Sequence, residues 1–60
     1  MFYIFNISRN QWLEDNSRND WDSWDSRFVH AHEFCCREDA DGWIKSYFRY
    51  DQPHLIILER

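Results

Sequence analysis

Glycine and proline occur once each, as Gly42 and Pro53, and no low-complexity tract interrupts the 60 residues. That scarcity leaves no room for a flexible linker, and a chain this short makes one domain at most, residues 1–60. Long apolar runs are missing too. None approaches the ~20 residues needed to cross a bilayer. Met1 is not followed by a basic region and an apolar core, so no signal peptide is expected. The expectation is an intact cytoplasmic protein, whose two cysteines should be reduced. Bases are few: seven Lys and Arg stand against eleven Asp and Glu. Phosphate binding needs clustered Lys and Arg, so direct nucleic-acid binding is not expected.

Aromatic rings are abundant. Four Trp, three Tyr and five Phe are present, and each buried ring removes roughly 150–250 Å² from water. A 60-residue chain buries only about 60% of its unfolded surface, and rings of this size replace the disulfides or metal that many such chains need. Acidity is localised. Glu14, Asp15, Asp20, Asp22 and Asp25 share their segment with one base, Arg18, and the remainder of the chain is balanced, so the net charge of −4 belongs to residues 14–25. Such a segment is either a solvated acidic loop or a face for a basic partner surface.

Phe2–Ile7 (FYIFNI) is short, aromatic and β-branched, which predicts a strand, apolar on both faces and central in a sheet. Ser8–Asn10 has turn chemistry, and Gln11–Glu14 (QWLE) reads as a second strand of a hairpin. Residues 15–20 are a loop by composition. Over Trp21–Phe34 two patterns compete. Trp21, Trp24, Phe28 and Ala31 fit one helical face, whereas Phe28, His30, His32 and Phe34 alternate as in a strand. Helical or turn-like structure near Ala31 is preferred. Arg37–Tyr50 carries the clearest helical pattern, with Ala40, Trp43, Ile44, Tyr47 and Phe48 on one stripe. Glu38 and Asp39 fall in the first turn and Arg49 in the last, as the helix dipole favours. Asp41 and Lys45 form an i, i+4 pair, and Gly42 costs about 1 kcal/mol against Ala. Pro53 ends the helix before it, and His54–Glu59 (HLIILE) follows as a last strand, apolar on both faces and expected to be central. The fold class is α+β, a small β-β-(turn or short helix)-α-β domain. One main helix packs on a small sheet, with Trp43, Ile44 and Tyr47 against Ile4, Ile56 and Leu58.

The run WDSRFVHAHEFCCREDADGWI (residues 24–44) resembles a pattern of small accessory proteins of tailed bacteriophages. In that pattern a hairpin precedes a Trp, an A-x-x-F turn, a helix opening with acids and Ala, and a closing strand. Trp24, Phe28, Ala31 with Phe34, Glu38 and Asp39 with Ala40, Trp43 with Ile44, and HLIILER take those places, over about residues 24–59. The resemblance implies the fold and a viral setting. It transfers no catalytic residue, and it implies action by binding and disabling a host or anti-phage defence protein inside an infected bacterium.

The chemistry-bearing residues concentrate in FVHAHEFCC (28–36), where His30, His32, Cys35 and Cys36 fall within seven residues. Structural zinc takes four N or S ligands, usually as two pairs from separate segments. Here all four share one run, no C-x-x-C spacing occurs, and His54 is the sole further imidazole. The competing reading buries Phe28, Ala31 and Phe34 and leaves both histidines flanking them near the surface. The thiols precede the helix, where its dipole favours thiolate. A catalytic cysteine needs in addition a positioned base and an oxyanion site, and nothing in the sequence completes one. One cysteine is expected as a small buried hydrophobe and the other near the surface. Asp20 and Asp22 begin a calcium-loop spacing, but Ser23-Trp24 breaks it and no glycine follows. One of Asp20, Asp22 and Ser23 is better placed to cap a helical turn.

No enzyme and no cofactor are therefore expected. The expected function is protein binding through an acidic, Trp-containing surface made of Glu14, Asp15, Asp20, Trp21, Asp22 and Asp25. Its partner would be a host or defence protein with a basic surface. Trp21 would be the exposed anchor and Trp24 would turn inward. The alternative is a metal- or thiol-dependent regulatory module built on His30, His32, Cys35 and Cys36. A homodimer formed through a strand edge is the third arrangement the sequence allows.

Overall fold

The computed structural model describes residues 1–14, 24–48 and 52–60. Strands β1 (Phe2–Asn6), β2 (Gln11–Leu13), β3 (Trp24–Asp25) and β4 (Leu55–Glu59) form one antiparallel sheet in the order β3-β2-β1-β4. Helix α1 (Arg37–Tyr47) packs on one face, and 3₁₀ turns occupy Phe28–His30 and Gln52–His54. The α+β class expected from the sequence is the observed one.

β1 is central, as its two apolar faces require. It pairs with β4 from Phe2↔Glu59 to Asn6↔Leu55, and with β2 at Phe5↔Trp12 and Asn6↔Gln11. The hairpin turn is held by a residue inside β1. The buried Asn6 side chain accepts the backbone N–H groups of Ser8 (3.0 Å) and Arg9 (3.1 Å) through Oδ1. Asn10, at φ 56°, supplies the left-handed residue that Asn tolerates better than most.

Beyond Phe5↔Trp12 the hairpin arms part, and residues 31–34 enter between them. Ala31 pairs with Glu14, and Phe34 with Phe2 through backbone bonds of 3.0 and 2.9 Å. The His32 N–H donates to the Leu13 carbonyl at 2.8 Å. The helical stripe expected through Trp24, Phe28 and Ala31 does not form. Trp24 and Asp25 are instead strand β3, paired with Leu13 and Trp12. Phe28–His30 is a single 3₁₀ turn, and Ala31 is extended at φ −66°, ψ 138°. Unpaired backbone along β2 and at Glu14 captures both segments, which overrides a weak helical periodicity. Trp21 lies outside the described residues.

α1 carries Glu38 and Asp39 in its first turn, and its Asp41–Lys45 pair closes at 2.8 Å. It stops before Phe48, which leaves helical geometry (φ −126°, ψ 30°) and enters the core, its N–H still bonded to the Ile44 carbonyl. Ala40, Ile44 and Phe48 pack with Ile4, Leu13, Phe34 and Leu55, and Phe2, Trp24, Trp43 and Ile57 close the margins. Two expectations are corrected. Tyr47 is not in the core; it is 47% exposed and rests on Trp43, ring centroids 4.8 Å apart. β4 is an edge strand, and Leu55 and Ile57, not Ile56 and Leu58, share the helix side with Asn6 and Ile4. An unbroken LIIL run has no period-two signal to set that parity, which cross-strand register alone decides.

The second face of the sheet is aromatic. Tyr3 and Phe5 alternate with Ile4, Trp12 pairs with Phe5, and the 3₁₀ turn adds Phe28. Edge-on contacts link Phe5–Trp12 (4.8 Å), Trp12–Phe28 (4.8 Å) and Tyr3–Phe28 (4.7 Å), and the Arg60 guanidinium lies 4.1 Å above the Phe28 ring. Each ring pair adds about 0.5–1.5 kcal/mol beyond its area.

Two substitutions test this account. A Cβ built on Gly42 meets nothing within 4 Å, and its φ is ordinary. Gly42→Ala should therefore stabilise by about 0.5–1 kcal/mol, a rise in Tm of roughly 2–8 °C in a thermal melt. Asn6→Ala strands two turn N–H groups and should cost about 1–3 kcal/mol in chemical denaturation.

Candidate functional site

The acidic segment leaves the sheet after β2 and returns in β3, so its two ends are fixed by the strands. Glu14 is bridged to Ala31, and Asp25 pairs with Trp12. Asp15, Asp20, Trp21 and Asp22 lie outside the described residues. Trp24 is half-buried at the core margin, its ring 5.3 Å from that of Phe48, as an inward tryptophan should be.

Register explains which side chains meet. Side chains alternate along a strand, and directly opposed residues share a face. Trp12 and Glu14 thus point to the aromatic side, and Asp25, opposite Trp12, joins them diagonally from Glu14. The 3₁₀ turn then brings His30 to the same place. Its Nδ1 lies 2.9 Å from Asp25 Oδ2. The carboxylate only accepts, so Nδ1 must carry the hydrogen, and in the neutral ring Nε2 keeps its lone pair.

Asp25 is the most constrained group here. Oδ1 accepts the Arg27 backbone N–H at 2.8 Å, and Oδ2 also faces Arg27 Nη2 at 3.3 Å. The His30 ring, then the Arg27 N–H and guanidinium, hold its carboxyl well below the usual carboxylate range. The Asp25 side chain is 16% exposed, whereas that of Arg27 is 69% exposed, so the guanidinium contact is the weakest of the three.

The His and Cys residues of 28–36 are distributed rather than gathered. His30 joins Asp25. His32 stacks on Trp43 (centroids 5.4 Å apart, 29° between planes) and lies 4.5 Å from the Phe34 ring. Cys35 is exposed, and Cys36 is half-buried at the N-cap position of α1 with no side-chain capping bond. Neither cysteine is the fully buried hydrophobe expected. Ala31 and Phe34 are buried as expected, while Phe28 is half-buried in the aromatic face. His32, Phe34, Cys35 and Trp43 line an open depression of about 360 Å³ with Glu33 and Asp39.

Among the described residues, the group of three or more potential metal donors that converges is Glu14, Asp25 and His30. Sequence reasoning assigned the two acids to a protein interface and the histidine to another cluster. Sixteen positions separate Glu14 from His30, and no linear spacing signals their meeting. No described helix is long and apolar enough to cross a membrane. No family model, curated protein or solved structure matches the chain.

The lowered Asp25 carboxyl gives a signed prediction. A depressed folded value contributes stability above the ordinary carboxylate range and loses it as pH falls toward the folded value. Asp25→Asn should therefore lose less stability than the wild type between about pH 5 and pH 3, measured by urea unfolding at each pH.

Proposed function

We propose that the chain is a non-enzymatic protein-binding module that seats its β2–β3 side on a basic surface of another protein, as an inhibitor or modulator. One observation carries this reading: the entire net charge of −4 falls between Glu14 and Asp25, and both ends of that segment are held by sheet pairing. Charge gathered in one segment whose ends sit on β2 and β3 would create a directional field, which speeds encounter with an opposite patch more than it tightens the final complex. Trp21, within the same segment, would supply the apolar anchor, since tryptophan dominates interface hot spots. The resemblance to phage accessory proteins makes a host or anti-phage defence protein the partner class, met in the bacterial cytoplasm. The alternative thiol- or metal-dependent module needs His30, His32, Cys35 and Cys36 to act together, and they are directed to different surroundings.

The test uses a partner captured from bacterial lysate and then purified. For Asp15→Asn/Asp20→Asn/Asp22→Asn, association should slow at least about tenfold at low ionic strength. The wild type should lose the same advantage at high salt. Trp21→Ala should weaken the complex by about 30-fold, a hot-spot cost of about 2 kcal/mol. Equal association rates for the wild type and the triple variant at low salt would refute the reading.

A further inference from the structure

We propose that Glu14, Asp25 and His30 form a binding site for one divalent transition-metal ion of the zinc and cobalt class, with its remaining coordination positions open to solvent or to a partner's side chain. One donor atom from each residue lies within 4.8 Å of the other two. With metal–oxygen and metal–nitrogen bonds of about 2.0–2.2 Å, tetrahedral coordination places two donors on one ion roughly 3.3–3.6 Å apart. The gap to be closed is at most roughly 1.5 Å, within reach of side-chain torsions at Glu14 and at the exposed His30.

The three backbones are already positioned. Trp12↔Asp25 pairing fixes Asp25, and the Glu14↔Ala31 bridge fixes Glu14 one residue from His30. The N–H of His30 bonded to the Arg27 carbonyl and that of Ala31 bonded to the Phe28 carbonyl fix the turn. Ions therefore meet ligands whose ordering cost was met by folding. Two chemical routes serve the site. Asp25 can ligate directly, giving up its bonds to the solvent-exposed Arg27 guanidinium and to His30 Nδ1–H, or it can keep Nδ1–H as its partner and aim Nε2 at the ion. Carboxylates of the second kind orient ligand histidines in metal centres generally. The donor set selects the ion: imidazole disfavours magnesium and calcium, and the lack of thiolate disfavours soft monovalent copper. This site shares Glu14 and Asp25 with the proposed docking surface but uses none of the residues that test that reading.

The probe is Zn²⁺ titrated calorimetrically into chelator-stripped, reduced protein, with Co²⁺ absorption as the spectroscopic readout. One ion per chain should bind. Co²⁺ should give d–d bands without the thiolate charge-transfer absorption that cysteine ligation produces. His30→Ala and Glu14→Gln should each weaken Zn²⁺ binding at least about tenfold, and Cys35→Ser/Cys36→Ser should leave it unchanged. Zn²⁺ should raise the Tm of the wild type and not that of His30→Ala. If His30→Ala fails to fold by circular dichroism, Glu14→Gln decides alone. Absence of saturable one-to-one binding, full affinity in a folded His30→Ala or in Glu14→Gln, or loss of binding in the double cysteine variant overturns the proposal.

Discussion

Residues 31–34, inserted between the arms of the β1–β2 hairpin, are the constraint on which the rest of the structure depends. Where β1 and β2 part, Phe2 and Glu14 would each face an empty lane in the sheet. Buried backbone groups without partners are rarely tolerated. Ala31 and Phe34 fill that lane with backbone pairing at both ends. The insertion also carries the chain from one face of the sheet to the other. Phe28 and His30 precede it on the aromatic side, and Phe34 emerges in the helix-side core, immediately before α1. The 3₁₀ turn breaks strand alternation at His30, which therefore meets Asp25 on the aromatic side, while His32, in the extended stretch that follows, meets Trp43 on the helix side.

Because the passage consumes so few residues, both faces of the sheet can be covered by 60 residues. The helix side mixes aliphatic and aromatic side chains, closely packed around Ile4 and Leu13, each 1% exposed. The other side is thinner, a set of edge-on rings closed by one 3₁₀ turn and the Arg60 guanidinium. Rings suit that role because they cover much area per side chain and lose little rotamer freedom. Arg60 covers Phe28 with a weakly hydrated cation, which can lie on an apolar surface and still face water. β4 joins the two sides through its register with β1: Leu55 and Ile57 meet the helix side, and Ile56 and Leu58 fall on the aromatic side.

How much of this was legible follows from the kind of signal each element leaves. α1 was readable because Ala40, Trp43 and Ile44 recur at helical spacing behind two acids, and β1 because a short aromatic and β-branched run has one economical use. Tyr47 and Phe48 were harder. Both continue the stripe, and only the end of the helix decides that Phe48 turns inward and Tyr47 outward. β3 left no trace, since two residues carry no period and their pairing with β2 is a long-range event. The His30–Asp25–Glu14 group was illegible for the same reason. Its members come from a 3₁₀ turn, an edge strand and the end of another strand, and only register unites them. The hairpin turn was legible in type but not in agent. Ser8–Asn10 looked self-sufficient, yet the bonding side chain is Asn6, buried inside the preceding strand.

Asp25 shows why fold and recognition are hard to separate in a protein of this size. It is a strand residue opposite Trp12, the acceptor of the Arg27 backbone N–H and the anchor of His30. Charge at this end of the acidic segment is therefore partly neutralised by structure, whereas the sequence between the ends offers one base, Arg18, to Asp15, Asp20 and Asp22. Self-repulsion within such a segment disfavours compaction, and any bound cation, whether a metal ion or a basic side chain of a partner, relieves it. On the proposed docking reading, recognition and relief of repulsion would be the same event. It follows that removing Asp25 alone disturbs the turn, the histidine and the field together and so does not separate the docking role from the metal site. Neutralising Asp15, Asp20 and Asp22 removes three charges of the segment and leaves Asp25 itself in place. Altering Glu14 or His30 changes the donor set and leaves most of the field in place.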